Sequence, residues 1–152
     1  MSYSIQYCLG TATLKPLIIE WAKEINGDDF DMNIDPNCIL ADIERLVVSR
    51  DADVLLLVHD DEPIGYLGII ISRSPTNGAR IANEHHWFVS KAHRGVAAIR
   101  LLKAARQWGK DRGCSHIILT ASKLASNLHN RTCKLYERLG MQLFETSYIE
   151  VL

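Results

Sequence analysis

The stretch Trp87-Phe88-Val89-Ser90-Lys91-Ala92-His93-Arg94-Gly95-Val96-Ala97-Ala98-Ile99-Arg100-Leu101-Leu102 constrains the fold more than any other part of the chain. An apolar strand runs into a short basic turn, a glycine and small residues. A helix follows, with Ala98, Leu101, Leu102, Ala105 and Trp108 on one face. So short a passage from strand to helix implies a layer of helices packed on a sheet. Small side chains let backbone N–H groups approach a ligand, and a helix N-terminus favours an anion there. A plain turn that uses Gly95 for its positive φ accounts for the same residues, so this segment alone leaves both readings open.

The rest of the chain supplies the layers. Ser4–Leu9 alternates as a first strand. Thr13–Ile25 has helical spacing, with Pro16 in its first turn and Gly27 as its stop. Asp28–Asp35 is an acidic loop, and Pro36 opens a second helix to Ser49. Asp53–His59 and Ile64–Ser72 flank the turn Asp60-Asp61-Glu62-Pro63 as a hairpin, and Ala79–Val89 returns as a third run. Ala97–Arg112 is a helix ended by Gly113, His116–Ala121 a buried strand, and Asn130–Leu139 a helix ended by Gly140. Met141–Leu152 is expected to add one or two closing strands. The expected architecture is α/β (α+β mixed): a central mixed, mostly antiparallel sheet of about six to seven strands, with about four helices on both faces.

At 152 residues the chain is expected to form a single domain, 1–152, with a core that needs no metal or disulfide staple. Cys8, Cys38, Cys114 and Cys133 are scattered with no C-x-x-C pair, which reads as reduced thiols. No apolar run approaches the roughly 20 residues of a membrane span, and the N-terminus lacks a secretory pattern, so a cytoplasmic location is expected. Through Glu62 there are 13 acidic and 4 basic residues; from Pro63 onward there are 5 acidic and 13 basic. Either this is an ordinary distribution of surface charge, or the second half holds a polyanion while the first faces a cation.

Three landmarks in order carry a resemblance. The first is the strand, Arg94-Gly95, small residues and the helix with Leu101-Leu102. The second is Gly113 before His116-Ile117-Ile118-Leu119. The third is Leu135-Tyr136-Glu137-Arg138-Leu139-Gly140-Met141. From Asp53 to Leu152 the chain resembles the GNAT superfamily of acetyl-coenzyme A-dependent N-acetyltransferases, in the compact format of small stand-alone bacterial and phage members.

The resemblance implies that the fourth and fifth strands splay apart and that acetyl-coenzyme A enters the gap as cosubstrate. Backbone groups of Phe88 and Val89 would meet its pantetheine arm. The amides of Arg94, Gly95, Val96, Ala97, Ala98 and Ile99 would cradle its pyrophosphate, with Arg94 and Arg100 as anion contacts. Alanine stands at 97 and 98 where the family's turn commonly has glycine. Asn130 is a further cofactor contact, with His129 competing for its register. Tyr136 is implied as the acid that protonates the departing thiolate, since a phenol stays protonated at neutral pH.

An ammonium acceptor must lose a proton before it can attack. Glu84 and His85 are the leading candidate bases, followed by His86. Strict strand alternation places Glu84 and His86 on one face and His85 on the other.

Two metal readings fail at this level. Asp29-Phe30-Asp31-Met32-Asn33-Ile34-Asp35 has Ile34 where a calcium loop needs glycine, and Leu40 where it needs glutamate. The run Glu84-His85-His86 lacks zinc-protease spacing. No metal is therefore expected.

The expected activity is acetyl transfer to a small-molecule or protein amine. Asp28, Asp29, Asp31 and Asp35 would line a cationic acceptor's entrance. A second copy of the chain is a candidate partner; nucleic acid and membrane are not. The alternative is a non-catalytic GNAT-like module that binds acetyl-coenzyme A or a partner. A nucleic-acid role for Arg100, Lys103, Arg106, Lys110 and Arg112 is disfavoured by the acidic first half.

Overall fold

The computed structural model describes residues 2–25 and 28–152. The stop assigned to Gly27 lies outside the described residues. Five strands form one sheet in sequential order: β1 (Tyr3–Tyr7), β2 (Ala52–His59), β3 (Glu62–Arg73), β4 (Arg80–Val89) and β5 (His116–Ile118). The first three pairings are antiparallel and β4–β5 is parallel. A parallel neighbour needs a crossover, and α3 (Val96–Asp111) supplies it.

The β2–β3 hairpin turns through Asp60 and Asp61, both at positive φ, as a two-residue turn between twisted strands requires. The strand therefore resumes at Glu62 rather than Ile64.

Alternation sorts the sheet's side chains into two cores. Leu55, Leu57, Leu67, Ile69 and Ala82 pack with Leu101, Leu102, Ala105 and Trp108 of α3 and with Tyr136 of α4 (Ser126–Arg138). Val54, Leu56, Val58, Tyr66 and Phe88 pack with α1 (Lys15–Glu24) and α2 (Pro36–Val48) through Leu17, Ile18, Ile43 and Leu46. Four helices thus cover both faces, as expected. Gly68 lets α2 come close, because a Cβ there would lie 2.8 Å from Leu46 Cδ1.

The expected closing strands are absent. None of the described residues beyond Arg138 is in a strand or helix, so the sheet has five strands rather than six or seven. Their apolar residues carry strand character, but a strand exists only against a partner edge.

Candidate active site

β4 and β5 pair only over Ile81–Asn83 and His116–Ile118. Beyond Asn83, β4 continues to Val89 with its β5 side open, which is the expected splay. Ser90 N–H donates to the Ile64 carbonyl at 2.8 Å and sets the phase of the β3–β4 ladder. Phe88 consequently spends its backbone groups on Tyr66, whereas Trp87 and Val89 turn theirs toward the opening. At Val89 the N–H is the group left facing the opening, since its carbonyl accepts from the Arg94 side chain. The backbone of Phe88, expected to meet the pantetheine arm, does not face the opening, and its buried ring packs among α1 and α2, beneath the Arg94 guanidinium at 5.5 Å.

One extra residue decides the faces of the candidate bases. Gly68 pairs with His86 and Ile69 with Glu84, leaving His85 as the bulged residue of β4. The bulge corrects the strict alternation expected from sequence. His85 and His86 lie side by side, ring centroids 5.4 Å apart, on the face of α1 and α2. Glu84 falls on the opposite side, toward α4.

Glu84 reaches across the opening, its Oε2 accepting the Thr120 N–H at 2.9 Å. Tyr136, buried on α4, donates its hydroxyl to the Thr120 carbonyl at 2.9 Å and accepts from Trp87 Nε1 at 2.9 Å. The carboxyl and the phenol thus converge on one residue just past β5. Burial pushes the Glu84 carboxyl up to about 7, against the lowering pull of the Thr120 N–H. Burial, assisted by the charge on Glu84, also holds the Tyr136 phenol well above its ordinary range, although the Trp87 bond opposes this.

The histidine side is different. His85 Nε2 contacts the Asp42 carboxylate, which Arg45 also bonds. Burial raises the Asp42 carboxyl, but the bonds and charges of His85 and Arg45 outweigh it and hold the group below its usual value. His86 packs between a tilted Trp21 ring and an edge-on Tyr66 ring, and neither of its buried ring nitrogens has a partner among the described residues. Burial, then the neighbouring His85, depresses its pKa to about 4, with Asp42 opposing. The ligand-capable atoms of Asp42, His85 and His86 all lie within 4.8 Å of one another. The Asp42 carboxylate is already engaged by the His85 ring and the Arg45 guanidinium.

At the turn, Gly95 adopts φ 103° and ψ −120°, a conformation reserved for glycine. It leads into α3 without a side-chain cap or an acidic residue in the first turn. The N–H groups of Val96, Ala97 and Ala98 are therefore open to an anion. Ile99 N–H already bonds the Gly95 carbonyl and leaves the cradle. Ala97 and Ala98 bury their methyl groups in the core, so alanine in place of glycine does not crowd the ligand side.

Neither expected arginine contact faces that cradle. Arg94 donates to the Val89 carbonyl at 3.0 Å and pairs with Glu24 of α1. Arg100 donates to the Tyr3 carbonyl at 3.3 Å. Glu20, accepting from Ser90 Oγ and Lys91 N–H, completes a clamp that fixes the turn to α1. Asn130 falls in the second turn of α4, exposed, because the helix begins at Ser126 rather than at 130. His129 instead meets the Ala121 carbonyl at 3.1 Å. Asp35 caps α2 by accepting the Asn37 N–H at 2.9 Å, while Asp29 and Asp31 are exposed. The side chain of Asp28 lies outside the described residues.

The Acetyltransferase (GNAT) family model matches residues 16–141, well over half of the chain. The chain belongs to the GNAT acetyltransferase family. The match begins some 37 residues before the resemblance legible from Asp53 onward, so α1 and α2 are part of it. The fold is shared with a ribosomal-protein-alanine N-acetyltransferase from Brucella melitensis biovar Abortus 2308, at TM-score 0.74, 22% identity and 100% coverage of both chains. A transcriptional regulator from Bacillus halodurans C-125 superposes at 0.81, with 18% identity over 99% of this chain and 100% of the other. The aminoglycoside acetyltransferase AAC(6')-Iy, in complex with a bisubstrate analogue, superposes at 0.69, with 20% identity over 100% and 99%. At such identities the likeness establishes the fold alone. No curated protein sequence matches the chain. Among the described residues no helix is long and apolar enough to cross a membrane.

Sequence reasoning singled out Glu84 and Tyr136 but missed Thr120, Trp87, Asp42, Glu20 and Glu24. Each of these acts through a partner distant in sequence, and no local pattern marks it.

Proposed function

We propose that the chain transfers an acetyl group from acetyl-coenzyme A to a primary amine by direct attack in a ternary complex. The observation that carries this reading is the convergence of Glu84 and Tyr136 on Thr120 where β4 and β5 part. The group transferred arrives as a thioester, which supplies an activated acyl carbon. The open edge at Trp87 and Val89 would receive the pantetheine arm by backbone pairing. The N–H groups of Val96, Ala97 and Ala98 would hold the pyrophosphate.

Glu84, with its carboxyl near 7, takes the proton from the ammonium acceptor. Val89 N–H faces the opening and is placed to donate to the acyl oxygen as charge develops there. Tyr136, kept protonated by burial, gives its proton to the departing sulfur in place of the Thr120 carbonyl. His85, oriented by Asp42, is the second candidate for the proton acceptor, and it approaches from the other face.

A cationic amine suits the exposed acidic pair Asp29 and Asp31, and some structural relatives are aminoglycoside acetyltransferases. Four free thiols fit a reducing, cytoplasmic setting for the reaction.

The test is thiol release from acetyl-coenzyme A across a panel of polyamines, aminoglycosides and basic peptides, beside calorimetric binding of the cofactor. Saturable binding with amine-dependent release supports the enzyme. Binding without release across the panel converts the reading to a non-catalytic acetyl-coenzyme A module. Absence of binding removes both.

A further inference from the structure

The chain has four free thiols, and among the described residues one of them meets an imidazole. Cys8 is buried and donates to the Gly10 carbonyl at 3.1 Å; burial pushes its thiol up, against the pull of that bond. Cys38 donates to the Asp35 carboxylate at 3.5 Å, and that bond and the Asp35 charge push its thiol up. Cys114 packs against the core beneath α3. Cys133 differs from all three. Half-buried on α4, it has its Sγ 3.8 Å from Nε2 of His129, one helical turn earlier. The other nitrogen of that ring, Nδ1, lies 3.1 Å from the Ala121 carbonyl. A carbonyl only accepts, so Nδ1 carries the proton of the neutral ring and Nε2 presents its lone pair to the thiol. A thiol, an imidazole of fixed tautomer and a group that orients it are the parts of an activated sulfur nucleophile.

The pair lies along the residues just past β5, where the sheet opens. Tyr136 bonds the Thr120 carbonyl and His129 the next one, at Ala121. Cys133 precedes Tyr136 by three residues, on the same side of α4. Burial and then Glu84 do most to hold the Tyr136 phenol up, and charge on Cys133 adds to them, which sets the sulfur within Coulombic reach of that hydroxyl.

We propose that Cys133, with His129 as its base, takes the acyl group of a thioester held in this opening when no amine is bound, so that the chain acylates itself. The proposal rests on the reading that acetyl-coenzyme A occupies the opening. His129 Nε2 accepts the thiol proton as Sγ attacks the acyl carbon. The tetrahedral adduct collapses, the bond from that carbon to the coenzyme A sulfur breaks, and the imidazolium gives its proton to the departing thiolate. A thiol and a thioester give a thiol and a thioester, so the exchange needs no oxidant or reductant.

The test treats the full chain, without amine, with two donors and reads intact mass and tryptic peptides. S-acetyl-N-acetylcysteamine is a small thioester that reaches the thiol without the phosphate cradle; acetyl-coenzyme A uses both. Each should add one acetyl group to the peptide holding Cys133, removable by neutral hydroxylamine, with Cys8, Cys38 and Cys114 unlabelled. Cys133→Ser should lose the hydroxylamine-labile adduct. His129→Asn keeps a donor toward Ala121 but supplies no base, and it should slow labelling by the small thioester about 10²-fold, the lower end for a positioned base. Labelling spread over the four thiols, or a Cys133 rate unmoved by His129→Asn, overturns the proposal. So does acetyl-coenzyme A that binds by calorimetry without acylating Cys133. Failure of acetyl-coenzyme A to bind removes the acetyl-transfer reading alone, and labelling by the small thioester then decides this site.

Discussion

Glu84 has a carboxyl whose proton is half lost near neutrality because burial disfavours its charge, and that places it where an ammonium proton can be accepted. kcat/KM should therefore rise with pH through about 7 before the acceptor's own ionisation takes over. Glu84→Gln should remove that limb and lower kcat by about 10²–10⁴-fold, the usual worth of a positioned base. A retained limb in the variant would transfer the role to His85, which Asp42→Asn should then disturb. Tyr136 is tested by separating turnover from binding. Tyr136→Phe keeps the ring in the α3–α4 core but deletes the proton held between Trp87 and Thr120. It should lower kcat by about 10²-fold or more while the calorimetric Kd for acetyl-coenzyme A changes little. Unchanged turnover would leave Tyr136 a core residue that braces Thr120.

At the scale of elements, the turn from β4 to α3 carries the cofactor reading, and Gly95 is its hinge. Nothing would meet a Cβ there within 4 Å, so Gly95→Ala costs backbone strain rather than a clash. Strain of this kind is about 1–3 kcal/mol. The variant should melt at a lower temperature and bind acetyl-coenzyme A more weakly; an unaffected Kd would separate the turn from the cofactor. The residues of this turn, its glycine and its helix were legible in the sequence, because a glycine-only conformation and helical periodicity are local properties. Glu84 and Tyr136 were legible as candidates, and the structure brings both to Thr120. Two features were not. The bulge at His85 depends on how many residues β3 sets against β4, which neither strand records alone. Arg94 and Arg100 look from sequence like anion ligands, yet their partners Glu24 and Tyr3 lie 70 and 97 residues away. The final segment shows the same limit in reverse. The one or two closing strands expected there are absent, because apolar residues make a strand only against a partner edge.

For the molecule as a whole, the two perturbed groups flanking the β4 bulge act on stability in opposite senses. Glu84 has a folded pKa of about 7, raised from 4.5, with Thr120, Tyr136 and Tyr66 as its neighbours. The folded state therefore binds the extra proton between those values. Its contribution is full below pH 4.5 and is lost as pH rises through 7. His86 has a folded pKa of about 4, lowered from 6.5, facing His85, Asp42, Trp21 and Tyr66. Here the unfolded state binds the extra proton, so stability present above 6.5 is lost as pH falls toward 4. Between about pH 4.5 and 6.5 the two slopes oppose each other and largely cancel in the parent chain. Removing either exposes the other. Relative to the parent, His86→Phe should add a slope that falls with rising pH, and Glu84→Gln one that climbs, each at most about 1.4 kcal/mol per pH unit. Urea unfolding of the three proteins at closely spaced pH values measures both differences. Slopes of the same sign in the two variants would show that the burial of one group, and not the pair of opposed titrations, governs stability around the β4 bulge.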